Sequence, residues 1–242
     1  MRMVSKTDIG RQRRTNQDSY AVGELPGSVA WAVVCDGMGG ANGGNIASST
    51  AVKTISERIS SSYRQGMGAN SIRNMLQSVI NAANLSIFDM AKSVESLNGM
   101  GTTVVVALIA DSVAHIAHAG DSRAYLLSGK KMTQITTDHS IVQTMLECGQ
   151  LTEAEARVHP RKNVITRALG VDERLEIDYN EVVLKKDDAI LLCTDGLTNY
   201  MEPNEIVQTV NRYSFYECPD KLIEKANENG GGDNITVVVI SQ

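Results

Sequence analysis

The sequence predicts an α+β fold, a four-layer α-β-β-α sandwich in which two central antiparallel β-sheets are flanked by pairs of antiparallel helices. Two observations lead there. The elements are segregated along the chain, with strands, two helices, a meander, an irregular stretch, a strand, two helices and a closing strand. A doubly wound fold would alternate strand and helix instead. The second observation is that two such sheets can bury their inner faces against each other while each helix pair covers an outer face.

The elements follow in order. Met3 to Ile9 reads as a short strand, Gly10 to Asp18 as a polar connector, and Ser19 to Val22 as a second strand. Val29 to Cys35 (VAWAVVC) is a dense apolar strand ending at Asp36, after which Gly37, Gly39, Gly40, Gly43 and Gly44 crowd together. So many glycines cost backbone entropy, which a tight turn or a close approach must justify. From Asn45 the apolar period changes from two to 3.6. Ala47, Ala51, Ile55 and Ile59 share one helical face, and a second helix runs from about Ser71 to Ala91. Strands return at Thr103 to Ala110, Val113 to Ala119 and Arg123 to Leu127, with a tight turn at Ser128-Gly129 leading into Lys130 to Ile135. Ser140 to Leu146 and Glu153 to Val158 are short helical pieces in a region that is irregular as far as Gly170. Ala189 to Cys193 is a buried strand, Pro203 to Val210 and Pro219 to Asn227 are helices with proline near the N-terminus, and Ile235 to Ile240 closes the fold.

Composition narrows the function classes. The 242 residues carry 23 Lys plus Arg against 28 Asp plus Glu, a formal charge of −5, which disfavours a general nucleic-acid binder. Apolar residues at 42% suffice for a core, so the expectation is one domain spanning residues 1–242. The longest apolar run, Thr103 to Ala110, is far short of a membrane span, and no apolar stretch follows Arg2 and Lys6 as in a signal peptide. Cys35, Cys148, Cys193 and Cys218 form no CxxC pair, so a cytoplasmic protein with four reduced thiols is expected.

The informative feature is where the aspartates fall. Asp36 follows VAWAVVC, Asp195 follows AILLCT, Asp121 follows HIAHAG, Asp233 precedes NITVVVI and Asp18 precedes SYAV. Any one Asp beside Gly is more often a turn. Five at strand ends can converge on one rim of a sandwich, where their mutual repulsion calls for cations. Magnesium and manganese favour such oxygen donors, and a dinuclear site of this kind suits phosphoryl chemistry. An arginine is then wanted for the phosphate oxygens, and Arg13 lies five residues before Asp18.

Eight segments, in order, resemble the PP2C-type (PPM family) metal-dependent serine/threonine protein phosphatases in their short bacterial form. They are TDIGRQRRTNQD at 7–18, VVCDGMGG at 33–40, GMGTT at 99–103, AGDSRAYL at 119–126, TTDHS at 136–140, NVITRALG at 163–170, LLCTDGL at 191–197 and GGDNITVVV at 231–239. The resemblance implies hydrolysis of phosphoserine and phosphothreonine in proteins by direct attack of a water activated at a dinuclear Mn²⁺ or Mg²⁺ centre. Asp36 would be the central bidentate or bridging ligand of the two ions, and the Gly37 carbonyl would meet the second. Asp195 and Asp233 would complete the first ion's shell, Asp18 would hold the second through water, and Asp121 would bind a weaker third ion with Asp195. Arg13 matches the phosphate-gripping arginine. Gln17 stands where many animal members have Glu, and Asn234 would orient the turn beside Asp233. The segment at about 141–162 matches a flap beside the active site.

The resemblance further implies phosphorylated proteins as partners, a monomer, and an opposing eukaryotic-like serine/threonine kinase. It departs from the family at the general acid. Met38 stands where animal members have a histidine, and Ala41 where bacterial relatives often have one. His115 and His118 fall on opposite faces of one strand and cannot both point at one metal. His139 reads as structural, and Cys35 and Cys193 as buried core residues without a phosphate loop. A non-catalytic binding module with a decayed site is the competing class, and the intact Asp36, Asp195 and Asp233 set argues against it. Phosphatases that act on regulators of sigma factors normally carry sensory or membrane domains, for which 242 residues leave no room.

Overall fold

The computed structural model describes residues 1–241, with the side chains of Ala41 and Asn42, as well as Gln242, outside the described residues. The elements in chain order are β1 (Arg2–Asp8), β2 (Asp18–Leu25), β3 (Val29–Met38), α1 (Gly40–Ser62) and α2 (Ala69–Ser93). They continue with β4 (Gly101–Thr102), β5 (Val104–Ala110), β6 (Val113–Ala119), β7 (Arg123–Ser128), β8 (Lys131–Gln134), α3 (Ile141–Glu147) and α4 (Glu153–Val158). The last are β9 (Asp178–Val183), β10 (Ala189–Cys193), α5 (Asp195–Thr198), α6 (Pro203–Arg212), α7 (Cys218–Glu228) and β11 (Ile235–Ser241).

Two antiparallel sheets result, one in the order β1-β11-β10-β7-β8 and the other β2-β3-β5-β6-β9, with the short β4 paired to β3. Three apolar layers hold them, and the period of two in the strands decides which residue enters which layer. In β3, Ala32 and Val34 face the other sheet with Ile190, Leu192, Val238 and Ile240. Val33 and Cys35, one position away, face α1 and α2 and pack with Ile55, Ile59, Leu76 and Ile80. On the far side Leu191, Cys193, Val237 and Val239 meet Leu222, Ile223 and Ala226 of α7. The four-layer architecture is thus the one the element order implies.

The structure differs from the sequence reading at three elements. First, β3 does not stop at Asp36 but runs to Met38, because Gly37 and Met38 pair with Thr102 and Gly101 of β4. Second, α1 begins at Gly40, so Gly40, Gly43 and Gly44 lie in the helix and not in a turn. Close approach explains two of these glycines: a Cβ on Gly37 would stand 2.0 Å from the Gly44 carbonyl oxygen, and one on Gly44 2.6 Å from the Gly37 oxygen. Third, β9 forms between Gly170 and Ala189, where the sequence reading assigns no element. It is an edge strand with no fully buried residue, so its apolar alternation is faint.

Because backbone atoms of both segments abut at Gly37, Gly37→Ala is expected to lower stability by about 1–3 kcal/mol, the usual cost of overpacking a filled position. The urea midpoint measures this. An unchanged midpoint would mean that the start of α1 moves away freely.

Candidate active site

The strand ends of both sheets meet at one rim. Asp18 opens β2 and stands directly across from Asp36 in β3. Asp195 follows β10 at the start of α5, Asp233 lies just before β11, and Asp121 sits in the turn between β6 and β7. Asp18 is buried, while Asp36, Asp121, Asp195 and Asp233 are half-buried. Like charges directly across a ladder repel, and burial adds to the cost of keeping these carboxyls ionised. Desolvation, reinforced by the charges of Asp195 and Asp233, pushes the Asp18 carboxyl up to about 7 even though Thr236 and Thr194 pull it down. Desolvation and Asp233 push Asp195 up to about 6, against Arg123, Asp36 and Arg13, which lower it. Asp36 is driven well above the usual carboxylate range by desolvation and by Asp18, Asp195, Asp121 and Asp233. Asp121 is raised likewise, by desolvation and then by Asp195.

Uncharged donors hold these carboxylates in place. The hydroxyls of Thr236 and Thr194 both donate to Asp18 Oδ2, at 2.6 and 2.9 Å. The Thr236 hydroxyl also meets Thr7 Oγ1 at 2.8 Å, and Asn16 Nδ2 donates to Thr7 Oγ1 at 2.8 Å. The Asp36 N–H donates to Thr103 Oγ1 at 2.9 Å, and that oxygen lies 2.7 Å from Ser122 Oγ, beside Asp121. Asn199 Nδ2 donates to Asp195 Oδ2 at 2.8 Å. Two carboxylate oxygens are nonetheless buried without a hydrogen-bond partner, Asp18 Oδ1 and Asp195 Oδ1. Buried anionic oxygens without donors are costly, and a hard divalent cation satisfies them, so the residues present fit such a group.

Asn234 organises the adjoining turn. Its Oδ1 accepts the Gln17 N–H at 2.8 Å, and its Nδ2 donates to Ile9 O at 2.9 Å and Thr15 O at 3.0 Å. Gln17 Nε2 donates to Gly40 O at 3.0 Å, tying the connector to the start of α1. Arg13 donates to Asp233 Oδ2 at 2.7 Å. Met38 lies with its terminal methyl over Gly101, and Ala41 falls outside the described side chains. Helices α3 and α4 stand over a cavity of about 560 Å³ whose lining includes Asp121, Asp195, Val142, Leu146, Ala156 and Lys162.

A second cluster lies behind the Asp121 turn. His118, His139 and Asp178 each place one ligand atom within 4.8 Å of the others, a set consistent with one metal-binding site. The two imidazoles stack with centroids 4.7 Å apart, and burial holds both pKa values below the ordinary one. His139 Nε2 lies 3.2 Å from Asp178 Oδ2, and Arg167 reaches both groups. His115, on the other face of β6, instead pairs with the Tyr179 hydroxyl at 2.7 Å. Asp178 is the residue that sequence reasoning missed outright. It opens β9 and stands across from His118, so overlooking that strand hid the cluster. Thr194, Thr236, Thr103 and Asn199 were also not singled out. Each neighbours a singled-out aspartate or its motif, which is the signal that could have found them.

The fold and the rim define a metal-dependent hydrolase built on two antiparallel sheets. Residues 10–231 match the family model for protein phosphatase 2C. The serine/threonine phosphatase stp of Listeria monocytogenes is 40% identical over 238 residues, covering 98% of this chain and 94% of that one. The solved serine/threonine phosphatase of S. agalactiae superposes with a TM-score of 0.93 at 32% identity, covering 100% of this chain and 99% of that chain. The catalytic domain of the phosphatase PstP, solved with 2 manganese ions, gives 0.86 at 32% identity over 98% of this chain and 96% of that one. The chain belongs to the protein phosphatase 2C family. It is a metal-dependent phosphatase that acts on phosphoserine and phosphothreonine in proteins.

Two predictions follow from the geometry. In the unfolded chain both carboxyls titrate near 3.8, whereas folded Asp18 and Asp195 keep protons up to about 7 and about 6. The folded chain therefore binds more protons between about pH 4 and 7, and the two groups' contribution to stability falls as pH rises through that window. A divalent cation needs the deprotonated forms. Mn²⁺ should accordingly raise the thermal unfolding midpoint more at about pH 7.5 than at about pH 5.5, and an equal or smaller rise at the higher pH would contradict this. The second concerns the clamp on Asp18. Thr236→Val removes one of its two hydroxyl donors and should cost about 1–3 kcal/mol, with Thr236→Ser recovering most of it in the same denaturation experiment.

Proposed function

We propose that the carboxylate rim binds two core divalent cations, Mn²⁺ or Mg²⁺, and a weaker third. In this reading Asp36 is shared by the two core ions and the Gly37 carbonyl meets the second. Asp195 and Asp233 complete the first shell, Asp18 acts on the second ion through water, and Asp121 joins Asp195 at the third. The observation that carries the reading is the pair of donor-less buried oxygens, Asp18 Oδ1 and Asp195 Oδ1, among carboxyls that raise one another's pKa. The manganese held by PstP supports the choice of ion. When bound, such cations neutralise phosphoryl oxygens and lower the pKa of water.

The chain's own groups do the rest. Arg13 offers a planar fork to the phosphoryl oxygens, and Asn234 and Gln17 fix the turn from which it projects. No thiol competes as a nucleophile at the rim, because Cys35 and Cys193 are fully buried and burial pushes the Cys193 thiol up to about 12. Direct hydrolysis without a phosphoenzyme is the reading this favours. The thioether of Met38 has no proton to give, so in this reading the departing serine or threonine oxygen takes its proton from water.

The wider reading is a cytoplasmic monomer, one phosphatase domain over residues 1–242 with a flap at about 141–162. A eukaryotic-like serine/threonine kinase and its substrates are its partners. Among the described residues no helix is long and apolar enough to cross a membrane.

The test is hydrolysis of a phosphothreonine peptide by metal-stripped protein with Mn²⁺ titrated back, beside Asp36→Asn and a phosphotyrosine peptide. Turnover should return with Mn²⁺, favour phosphothreonine, and fall by at least about two orders of magnitude in the variant, the scale seen when a charge-stabilising group leaves a reacting centre. Wild-type turnover in Asp36→Asn would sink the dinuclear assignment.

A further inference from the structure

The connector that carries Arg13 is pinned on both sides to the turn that carries Asp233. The Arg11 N–H donates to Gly231 O at 2.7 Å. The Asn234 amide donates to Ile9 O before Arg13 and to Thr15 O after it. Gly10, at φ +78°, lies so close that a Cβ there would stand 2.1 Å from the Asp233 carbonyl oxygen. Arg13 therefore meets Asp233 with little backbone freedom left to lose, which sets it apart from an ordinary surface ion pair. Both Asp233 oxygens already have a donor, Oδ2 from Arg13 at 2.7 Å and Oδ1 from the Asn234 N–H at 2.9 Å.

Arg13 also feels the charges of Asp36 and Asp195. The other arginine near the rim, Arg123, is committed to Asp138 by bonds of 2.6 to 3.0 Å to both carboxylate oxygens. Arg13, about half exposed, has no second carboxylate partner within ion-pair distance among the described residues. A divalent cation that takes Asp233 Oδ2 places a second positive centre on the oxygen that Arg13 already holds. The two repel, and the guanidinium is the one that can leave.

We propose that Arg13 is shared: it holds Asp233 until a divalent cation takes that carboxylate, and the released fork then grips the phosphoryl group. This rests on the cation assignment made above. Cation binding and phosphoryl binding are thereby coupled through one side chain, and the coupling is reciprocal. A phosphoryl group that draws Arg13 away strengthens cation binding at Asp233 by the same factor as the cation strengthens phosphoryl binding. The arginine acts as a placeholder against the cation as well as a ligand for substrate.

Calorimetric titration of Mn²⁺ into the whole protein, in buffer free of phosphate, tests this without turnover. Arg13→Ala should bind Mn²⁺ at the Asp233-dependent site about two- to fivefold more tightly than wild type, the range that an ion pair of this exposure supports. Asp233→Asn should weaken Mn²⁺ binding, and in that background Arg13→Ala should tighten it by clearly less than in the wild type, because the pair is already gone and only the more distant charges remain. If Asp233→Asn weakens binding but Arg13→Ala leaves it equal or weaker, the shared role is overturned and the cation assignment stands. Unchanged Mn²⁺ affinity in Asp233→Asn would remove the assignment itself, and with it the inference.

Discussion

The repulsion among the carboxylates at the strand ends is the constraint on which the rest of the structure turns. Asp18 and Asp36 face each other across one ladder, and Asp195 and Asp233 arrive from the other sheet. No local preference would bring these charges together, and burial, with the neighbouring carboxylates added to it, raises the pKa values of Asp18, Asp36, Asp121 and Asp195. Three apolar layers offset it. They fix strands β3, β10 and β11 by residues such as Val33, Val34, Leu192 and Val238, none of which retains exposed surface. The rim is thus assembled by packing several residues away from it. That arrangement lets electrostatic strain persist at a site that uses it.

How the carboxylates are held matters as much as where. Most of their partners are neutral: the hydroxyls of Thr194 and Thr236, the side-chain amide of Asn199 and the backbone N–H of Asn234. A basic partner on every aspartate would lower its pKa and satisfy its charge, leaving nothing for a cation to do. Neutral donors fix the orientation of one oxygen and leave the charge available. Asp18 shows this most plainly, with two donors on Oδ2 and none on Oδ1. Among the described residues Arg13 is the exception, a half-exposed guanidinium that donates to Asp233 Oδ2.

The parts of this molecule that could be read from sequence are those with a period or a position. VAWAVVC and ITVVVI announce buried strands, the helical faces of α1 and α2 repeat every 3.6 residues, and aspartates at strand ends announce a rim. The parts that could not be read depend on tertiary pairing. Gly37 continues β3 only because β4 supplies a ladder partner distant in sequence. Gly44 lies within α1 with its backbone against Gly37, a contact that composition cannot distinguish from a turn. β9 is half-exposed at a sheet edge, so its polar residues resemble those of a loop. Asp178 and its approach to His118 and His139 were hidden with it. The two clusters also differ in chemistry: the rim offers only oxygen, while the imidazole pair offers nitrogen, which suits softer ions.

The flap stands apart from this economy of packing. Helix α3 buries none of its residues and α4 buries only Ala156, although each is properly capped, by Ser140 and by the Thr152–Glu155 box. Local hydrogen bonds therefore keep these helices formed while few apolar contacts tie them to the body, the condition for opening at low free-energy cost. The rim beneath is held by the sheets and not by the flap. Asp121 and Asp195 line the shared cavity, yet their positions are set by β6, β7, β10 and α5. In the reading proposed above, residues such as Val142, Leu146 and Lys162 would change which phosphoprotein surface is accepted without disturbing the carboxylates of the rim. Chemistry and recognition would then be separated because one rests on a core and the other does not.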